Sequence, residues 1–563
     1  MTGAITATIF SQGPHLKIKT KMDPKYELLY IDILKEVNRI PTAQITLRDG
    51  DVTKQEFKVS NSDFFAPGQE IEIQLRYEGT SKDETIFKGI VVKHTVEANL
   101  NQSRLNLCLK DAAIKLTTQR KNAVFPQKQG SKIKDKKIIE DIIKAHQLKL
   151  GEVTNTDVEH LEMVQFYCTD WDFILSRAEV NSLWVVVDDG EITVMSPELL
   201  GSDLRGSVSF RAEHGQTVIY EFEMEVDIQH QYGVVQSQAW DVKTQKLSKL
   251  TQAKDKYPLP GNLKPEILAT EIGADRFDLI TSSELVPLEL QAWADAKMNK
   301  ARLSMLRGRV SVPGFAGIKL GEVMEIAGVS DRFNGRTRVT GIRHHVSQDG
   351  WKTDVQFGLS ANWFCQNQDI VDTPAAGLVP AINGLQIGIV DQYVEDPEKK
   401  LRVRVKAPTL ANTANKEGGV VWARLTTLDA GPARGAFFRP EPGDEVVLGF
   451  LNDDPRQAII LGSIYSEKNT PPQKVTKENS EKGIVTKEKL KLHFNDKDKS
   501  IRLETPGTNR IILIDEDGAI YIVDENNNQF TMNSDGIQVS SDQDIAITAK
   551  GNITLQGKKV DVK

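Results

Sequence analysis

The chain has 563 residues, with 71 Lys+Arg against 78 Asp+Glu, a net charge of −7, 39% hydrophobic residues and 26% charged ones. That is the composition of a soluble globular class, long enough for roughly three to five domains. Interspersed and mildly acidic charge argues against nucleic acid or an anionic membrane surface as the main partner. Residues 1–12 lack a basic-then-apolar signal pattern and no run of eighteen apolar residues occurs, so neither general secretory export nor a membrane-spanning helix is expected. Cys108, Cys168 and Cys365 are far apart without C-x-x-C spacing, and read as reduced thiols of a protein folded in a reducing cytoplasm.

Alternating segments at 26–34, 42–48, 71–77, 86–96 and 104–109, broken by Gly, Asp and Asn turns, predict strands over residues 1–110. An apolar stripe of Ile138, Ile139, Ile142 and Ile143 then predicts a helix over 134–146. A second helix is expected over 171–181, with Thr169 or Asp170 as N-cap and Phe173, Ile174 and Ala178 inward. Residues 184–187 and 191–195 read as a strand pair across an Asp188-Asp189-Gly190 turn. Strands resume at 216–242. The longest helix is expected over 288–306, opened by Pro287 and closed by Gly308, and more strands run to 359. Residues 366–380 are linker-like, 381–465 form a strand-rich module, and 466–482 are a Lys-, Glu- and Pro-rich neck with too few apolar residues to fold alone.

The final segment, 483–563, carries apolar-x-apolar pairs about every eight residues: Ile520/Ile522, Phe530/Met532, Ile537/Val539, Ile545/Ile547, Ile553/Leu555 and Val560/Val562. Turn-forming sets such as Asp515-Glu516-Asp517-Gly518, Ser534-Asp535-Gly536 and Lys550-Gly551-Asn552 separate them. A short fixed period of this kind predicts a β-helix or solenoid. About eight residues cannot enclose a core alone, so three chains are expected to wind round one axis and pool their pairs.

The module from Ile387-Gly388-Ile389-Val390 through Val421-Trp422-Ala423-Arg424-Leu425 and Pro442-Gly443-Asp444-Glu445-Val446-Val447 to Ile460-Leu461-Gly462-Ser463 closely resembles the OB-fold of contractile-tail spike proteins. These are the VgrG proteins of type VI secretion and the spike proteins of myophage baseplates. Asp170-Trp171-Asp172-Phe173-Ile174-Leu175, and Gly341-Ile342-Arg343-His344-His345-Val346 with Gly350-Trp351, resemble the hub of that family, and the tail resembles its shaft. The resemblance implies a mainly β homotrimer. Its parts are a hub β-barrel (1–110), an α+β hub domain (111–215), a second hub β-barrel (216–365) holding helix 288–306, an OB-fold (381–465), the neck (466–482) and a trimeric β-helix spike (483–563). It further implies a PAAR-type tip protein, docked at Val560, Val562 and Lys563, with tail-tube and baseplate proteins as partners, effector cargo, and a target membrane met transiently. The chain is expected to be made without a signal peptide and then to join a released or secreted particle.

Departures narrow the expectation. The neck leaves no room for the lysozyme domain of some myophage spikes, no histidine follows His493 to bind a tip metal, and no effector domain follows the last pair. Among candidate sites, Asp170 and Asp172 read as helix N-terminal acids, Asp188-Asp189-Gly190 as a hairpin turn, and Asp453-Asp454-Pro455 as a loop breaker before a strand. His344 and His345 alternate in direction on a strand and so do not share a ligand. Trp422, Phe437 and Phe438 sit in an acidic chain, which argues against nucleic-acid stacking, and Trp422 reads as interface or core. No G-x-S-x-G, H-E-x-x-H or phosphate-loop signature occurs. No catalytic residue, cofactor or metal is therefore expected. A short first barrel and a compact shaft favour a phage-tail-like extracellular contractile particle over the VgrG of a cell-anchored type VI system. A polysaccharide-degrading tail spike is a third reading, weakened because such enzymes need long coils bearing a carboxylate-lined groove.

Overall fold

Alternation at period two builds most of the chain. In Thr42–Arg48 the inward set is Ala43, Ile45 and Leu47, in Glu70–Tyr77 it is Ile71, Ile73 and Leu75, and in Ser103–Lys110 it is Leu105, Leu107 and Leu109; all are buried. The computed structural model describes residues 4–562 apart from 52–53, 80–81, 100–101, 127, 129, 200–209, 256, 368, 411–418, 508 and 515–517. It divides into two units, Met1–Asp372 and Thr373–Lys563.

In the first unit one 13-stranded sheet starts at the edge strand Glu221–Val226 and runs through Leu306–Pro313, Gly350–Phe357 and Gly335–Ser347. It crosses to Leu28–Glu36 and continues through Thr42–Arg48, Ser103–Lys110, Glu84–Ala98, Glu70–Tyr77 and Ile5–Gln12 to Thr20–Lys21, while Val323–Ala327 and then Phe210–Glu213 branch from Gly335–Ser347. The strands expected in two hub barrels are thus hydrogen-bonded into one sheet. The junction is antiparallel, with Ile33 opposite His344 and Ile31 opposite Val346. Two apolar cores pack on it, one around Ile33, Ile45, Phe65, Phe87 and Trp351, the other around Val310, Val312, Met324 and Val355.

A third core belongs to the α+β segment. Helix α1 (Asp135–Ala145) buries the four isoleucines read from its stripe. Helix α2 (Asp170–Val180) starts where the Thr169 hydroxyl accepts from the Asp172 amide at 3.1 Å. Trp184–Asp188 and Glu191–Met195 pair across Asp189 and Gly190, both at positive φ as a type I′ turn requires. After the short α3 (Pro265–Glu271), helix α4 (Pro287–Met305) begins one residue before the expected span. Gly308 does not close it. The chain passes straight into strand Leu306–Pro313, where a Cβ on Gly308 would lie 2.4 Å from the Glu223 carbonyl oxygen. Close strand approach is what requires that glycine. No helix among the described residues is long and apolar enough to cross a membrane.

In the second unit, Gln386–Val390, Val403–Ala407, Gly419–Leu425, Ala458–Ser463 and Glu445–Phe450 close into a barrel in that order. Its interior holds Val390, Val405, Ala423, Val446, Leu448 and Ile460. Seven strands then form an antiparallel meander from Glu481–Val485 to Gly536–Ser540, turned back by loops of two to five residues. One chain therefore shows a meander in place of β-helical coils. No strand occurs among the described residues after Ser540. The neck residues Pro472 and Gln473 border a cavity of about 310 Å³ with His493, Arg502 and Glu504 on the meander.

The sheet junction carries a titration signature. His344 is buried, and its Nδ1 lies 3.0 Å from the Thr353 hydroxyl and 3.4 Å from the Trp351 indole nitrogen, neutral neighbours that offer a charged ring no counter-ion. Burial, aided by the Lys35 charge, lowers its pKa to about 3. The folded value lies below the unfolded value of about 6.5, so this contribution is complete above pH 6.5 and is lost as pH falls below it. Acidification from pH 7 to 5 should cost about 2 kcal/mol through this one ring. Urea unfolding of the hub transition at both pH values should show that loss in the wild type and a correspondingly shallower one in His344→Gln. Equal acid slopes would contradict a neutral buried imidazole.

Candidate functional site

On each spike strand the second and fourth residues share one face, and the ladder places them in two unbroken rows. The first row is Ile484, Leu492, Leu503, Ile511, Ile522, Phe530 and Val539, each opposite the next. The second row is Phe494, Ile501, Leu513, Ile520, Met532 and Ile537. The reverse face presents His493, Arg502, Ile512, Tyr521, Thr531 and Gln538 at its centre.

Nothing among the described residues closes over the apolar face. From Glu481 onward only Ser500 and Ala519 of them are buried, while Ile537 is 67% exposed. Instead, a groove of about 970 Å³ runs along the face, lined by members of the first row, by Ile545 and by Phe438 from the OB barrel. Fully burying one such side chain is worth about 1.5–3 kcal/mol, so two whole rows left partly in water amount to a large driving force for association.

Of the spike residues singled out from sequence, Ile520, Ile522, Phe530, Met532, Ile537 and Val539 fall together in these rows. Ile545 borders the groove. Ile547, Ile553, Leu555, Val560 and Val562 lie on strandless backbone, with Leu555 70% and Val562 89% exposed. Lys563 and Asp515–Asp517 lie outside the described residues. The rows also extend upstream into Leu492/Phe494, Ile501/Leu503 and Ile511/Leu513, which sequence reading passed over. Their signal was the same i, i+2 spacing, interrupted by charged turns such as Asn495-Asp496-Lys497-Asp498-Lys499.

In the hub, Asp170 does more than begin a helix. Its carboxylate accepts from Lys121 at 2.5 Å, lies 2.6 Å from His146 Nε2 and accepts from Gln165 at 2.9 Å. Burial raises its pKa, and these partners outweigh that to hold the carboxyl below its usual range. Asp172 stays in the cap, taking the Thr169 hydroxyl at 2.5 Å. Sequence reading missed Asp135, which is fully buried. Burial pushes it up, but His160, a two-pronged Arg177 and Asn181 hold it well below the carboxylate range. Asp188 pairs with Lys35 and Lys319. His344 is buried while His345 packs edge-on against Tyr30, so the two rings do separate. Asp453 lies in the left-handed turn after Phe450, and Asp454 pairs with Arg456 before the strand Ala458–Ser463. Trp422 is half-buried under the Arg402 guanidinium. No group of three or more His, Cys, Asp or Glu among the described residues is arranged to hold a metal. The spike thus presents an exposed apolar face, and the polar clusters of the first unit are satisfied internally.

A family model described as the Alg8 N-terminal domain matches residues 3–348. A second, described as the type VI secretion system/phage-baseplate injector OB domain, matches residues 386–465. Type VI secretion system spike protein VgrG1a of Pseudomonas aeruginosa is 26% identical over 239 residues, 39% of this chain and 34% of that protein. VgrG3 of Vibrio cholerae is 38% identical over 71 residues, 13% of this chain and 7% of that protein. The matched stretches thus span about a third or less of the length of these curated relatives. Among solved structures, a tail protein from Neisseria meningitidis aligns at a TM-score of 0.43 and 12% identity, covering 64% of this chain and 98% of that one. An E. coli component of the type VI secretion system, described as similar to the T4 tail proteins gp27 and gp5, aligns at 0.37 and 11%, covering 79% and 98%. The chain belongs to the family described as the Alg8 N-terminal domain, which spans residues 3–348, and its injector-type OB barrel and similarity to VgrG spike proteins support the VgrG and contractile-tail family.

Proposed function

We propose that this chain is the trimeric hub-and-spike protein of a contractile injection system, and that its work is mechanical rather than catalytic. The observation that carries the reading is the pair of apolar rows left open on one face of the spike meander. A filler must be apolar, must follow seven strands in register, and must match the row spacing. The same rows on further copies of this chain meet all three conditions, and three-fold pooling gives a closed core. Ile545, Ile547, Ile553 and Leu555 continue that core beyond the last strand of the single chain.

In this reading the hub adapts the tail tube and baseplate to the spike, the OB barrels ring its root, and the closed spike concentrates contraction force on a small area of target membrane. Val560, Val562 and Lys563 seat a PAAR-type tip protein, and cargo travels with it. The chain is made in the bacterial cytoplasm and leaves in the particle; nucleic acid is not a partner. A short hub barrel and compact shaft support a phage-tail-like extracellular particle. The cell-anchored alternative has its own support, because the curated relatives are named as type VI spike proteins. Sedimentation separates them, since free particles pellet from culture supernatant and anchored machines stay with cells.

Light scattering tests the core. Wild type should be a trimer. Ile522→Asp places three like charges in a closed apolar core at a cost on the order of several kcal/mol each, and should abolish assembly. Thr531→Asp, on the reverse face, should leave the trimer intact. A folded wild-type monomer would sink the reading. The mechanical role makes a second prediction: pure oligomer should release no reducing ends from peptidoglycan or capsular polysaccharide. Release would turn the reading toward a polysaccharide-degrading spike.

A further inference from the structure

The OB barrel holds an apolar surface that its own fold does not use. After strand Gly419–Leu425 the chain makes a small ribbon, Ala430–Gly431 against Arg434–Gly435. The loop around it is firmly built. Arg434 pairs with Asp429 at 2.6 Å, the Thr427 hydroxyl donates to the Ala436 carbonyl at 2.6 Å, and the Ala436 amide donates to the Asp429 carbonyl at 3.0 Å. Yet this fixed loop leaves Leu428 98%, Phe437 85% and Phe438 60% exposed. Three large apolar side chains held in water by an ordered backbone mark a contact surface. Phe438 also lines the spike groove, together with Ile484, Leu492 and Leu503 at its root. Through Phe438 the loop thus reaches the groove at the spike root, with Phe437 and Leu428 beyond its edge.

We propose that Leu428, Phe437 and Phe438 form a clasp that packs on the spike root of a neighbouring copy of this chain. The inference rests on the trimeric reading above and deepens it by naming the barrel's part in the contact. A second copy is the occupant because the groove needs a filler in register with its rows, and whatever fills it at the root meets Phe438. Phe437 and Leu428 stand on the same braced loop and extend that contact beyond the groove. The clasp ties each barrel to another subunit's spike, so the barrel ring and the spike assemble as one unit.

The test uses the full chain carrying Phe437→Cys. Maleimide labelling is read by peptide mapping, so Cys108, Cys168 and Cys365 are scored separately, and light scattering is run on the same sample beside the wild type. A trimer whose introduced thiol labels at least ten-fold more slowly than in urea supports the clasp. So does a wild-type trimer paired with a Phe437→Cys monomer, provided Leu428→Ser also weakens assembly ten-fold or more on dilution. A trimer in which the introduced thiol labels at its urea rate overturns the clasp and leaves the trimeric reading standing. A wild-type monomer overturns both.

Discussion

The rest of the structure depends on an imbalance in the spike: its strands satisfy one another's backbone groups but leave two rows of large apolar side chains without a counterpart. Backbone pairing alone does little to stabilise a sheet in water, because the polar groups it satisfies were already hydrogen-bonded to solvent. Sheets stand when one face is buried. Here the second and fourth positions of seven consecutive strands form that face, and nothing among the described residues closes over it. In the trimeric reading proposed above, identical copies supply the cover along the whole face.

The hub solves the opposite problem. Its large sheet buries two apolar cores within one chain, and its helical segment, with a third, is braced by two buried carboxylates, Asp135 and Asp170, each surrounded by cationic or amide donors. Buried charge held this way adds little net stability over apolar packing, yet breaking it is costly, so such clusters fix one geometry. The OB barrel shares features of both. Its interior is closed by its own side chains, while its loop at Leu428, Phe437 and Phe438 is exposed in the manner of the spike rows.

Much of this was legible from residue order because the governing signals are local. The isoleucine stripe of α1, the Thr169 cap of α2 and the Asp189-Gly190 turn are each set by residues within one or two turns of chain. The separation of His344 from His345 follows from strand alternation alone. Asp135 was hidden because its partners, His160 and Arg177, lie 25 and 42 residues away. Gly308 was misread as a helix stop because the constraint on it comes from Glu223, across a strand pair. In the spike, the apolar pairs gave the shared face, while the direction of successive strands depends on turn lengths that vary from two to five residues. The family resemblance placed the OB-fold at 381–465, and the injector-domain match falls at 386–465.

The sharpest measurement of the central claim is amide hydrogen exchange, resolved by peptide, over residues 541–562 of the purified native protein. These residues form no strand within one chain, so protection there reports pairing between chains. The account predicts that peptides containing Ile545/Ile547 and Ile553/Leu555 exchange as slowly as those from Ala519–Val523. Exchange at the rate of an unstructured peptide, in a sample whose hub strands are protected, would contradict a spike core shared between copies.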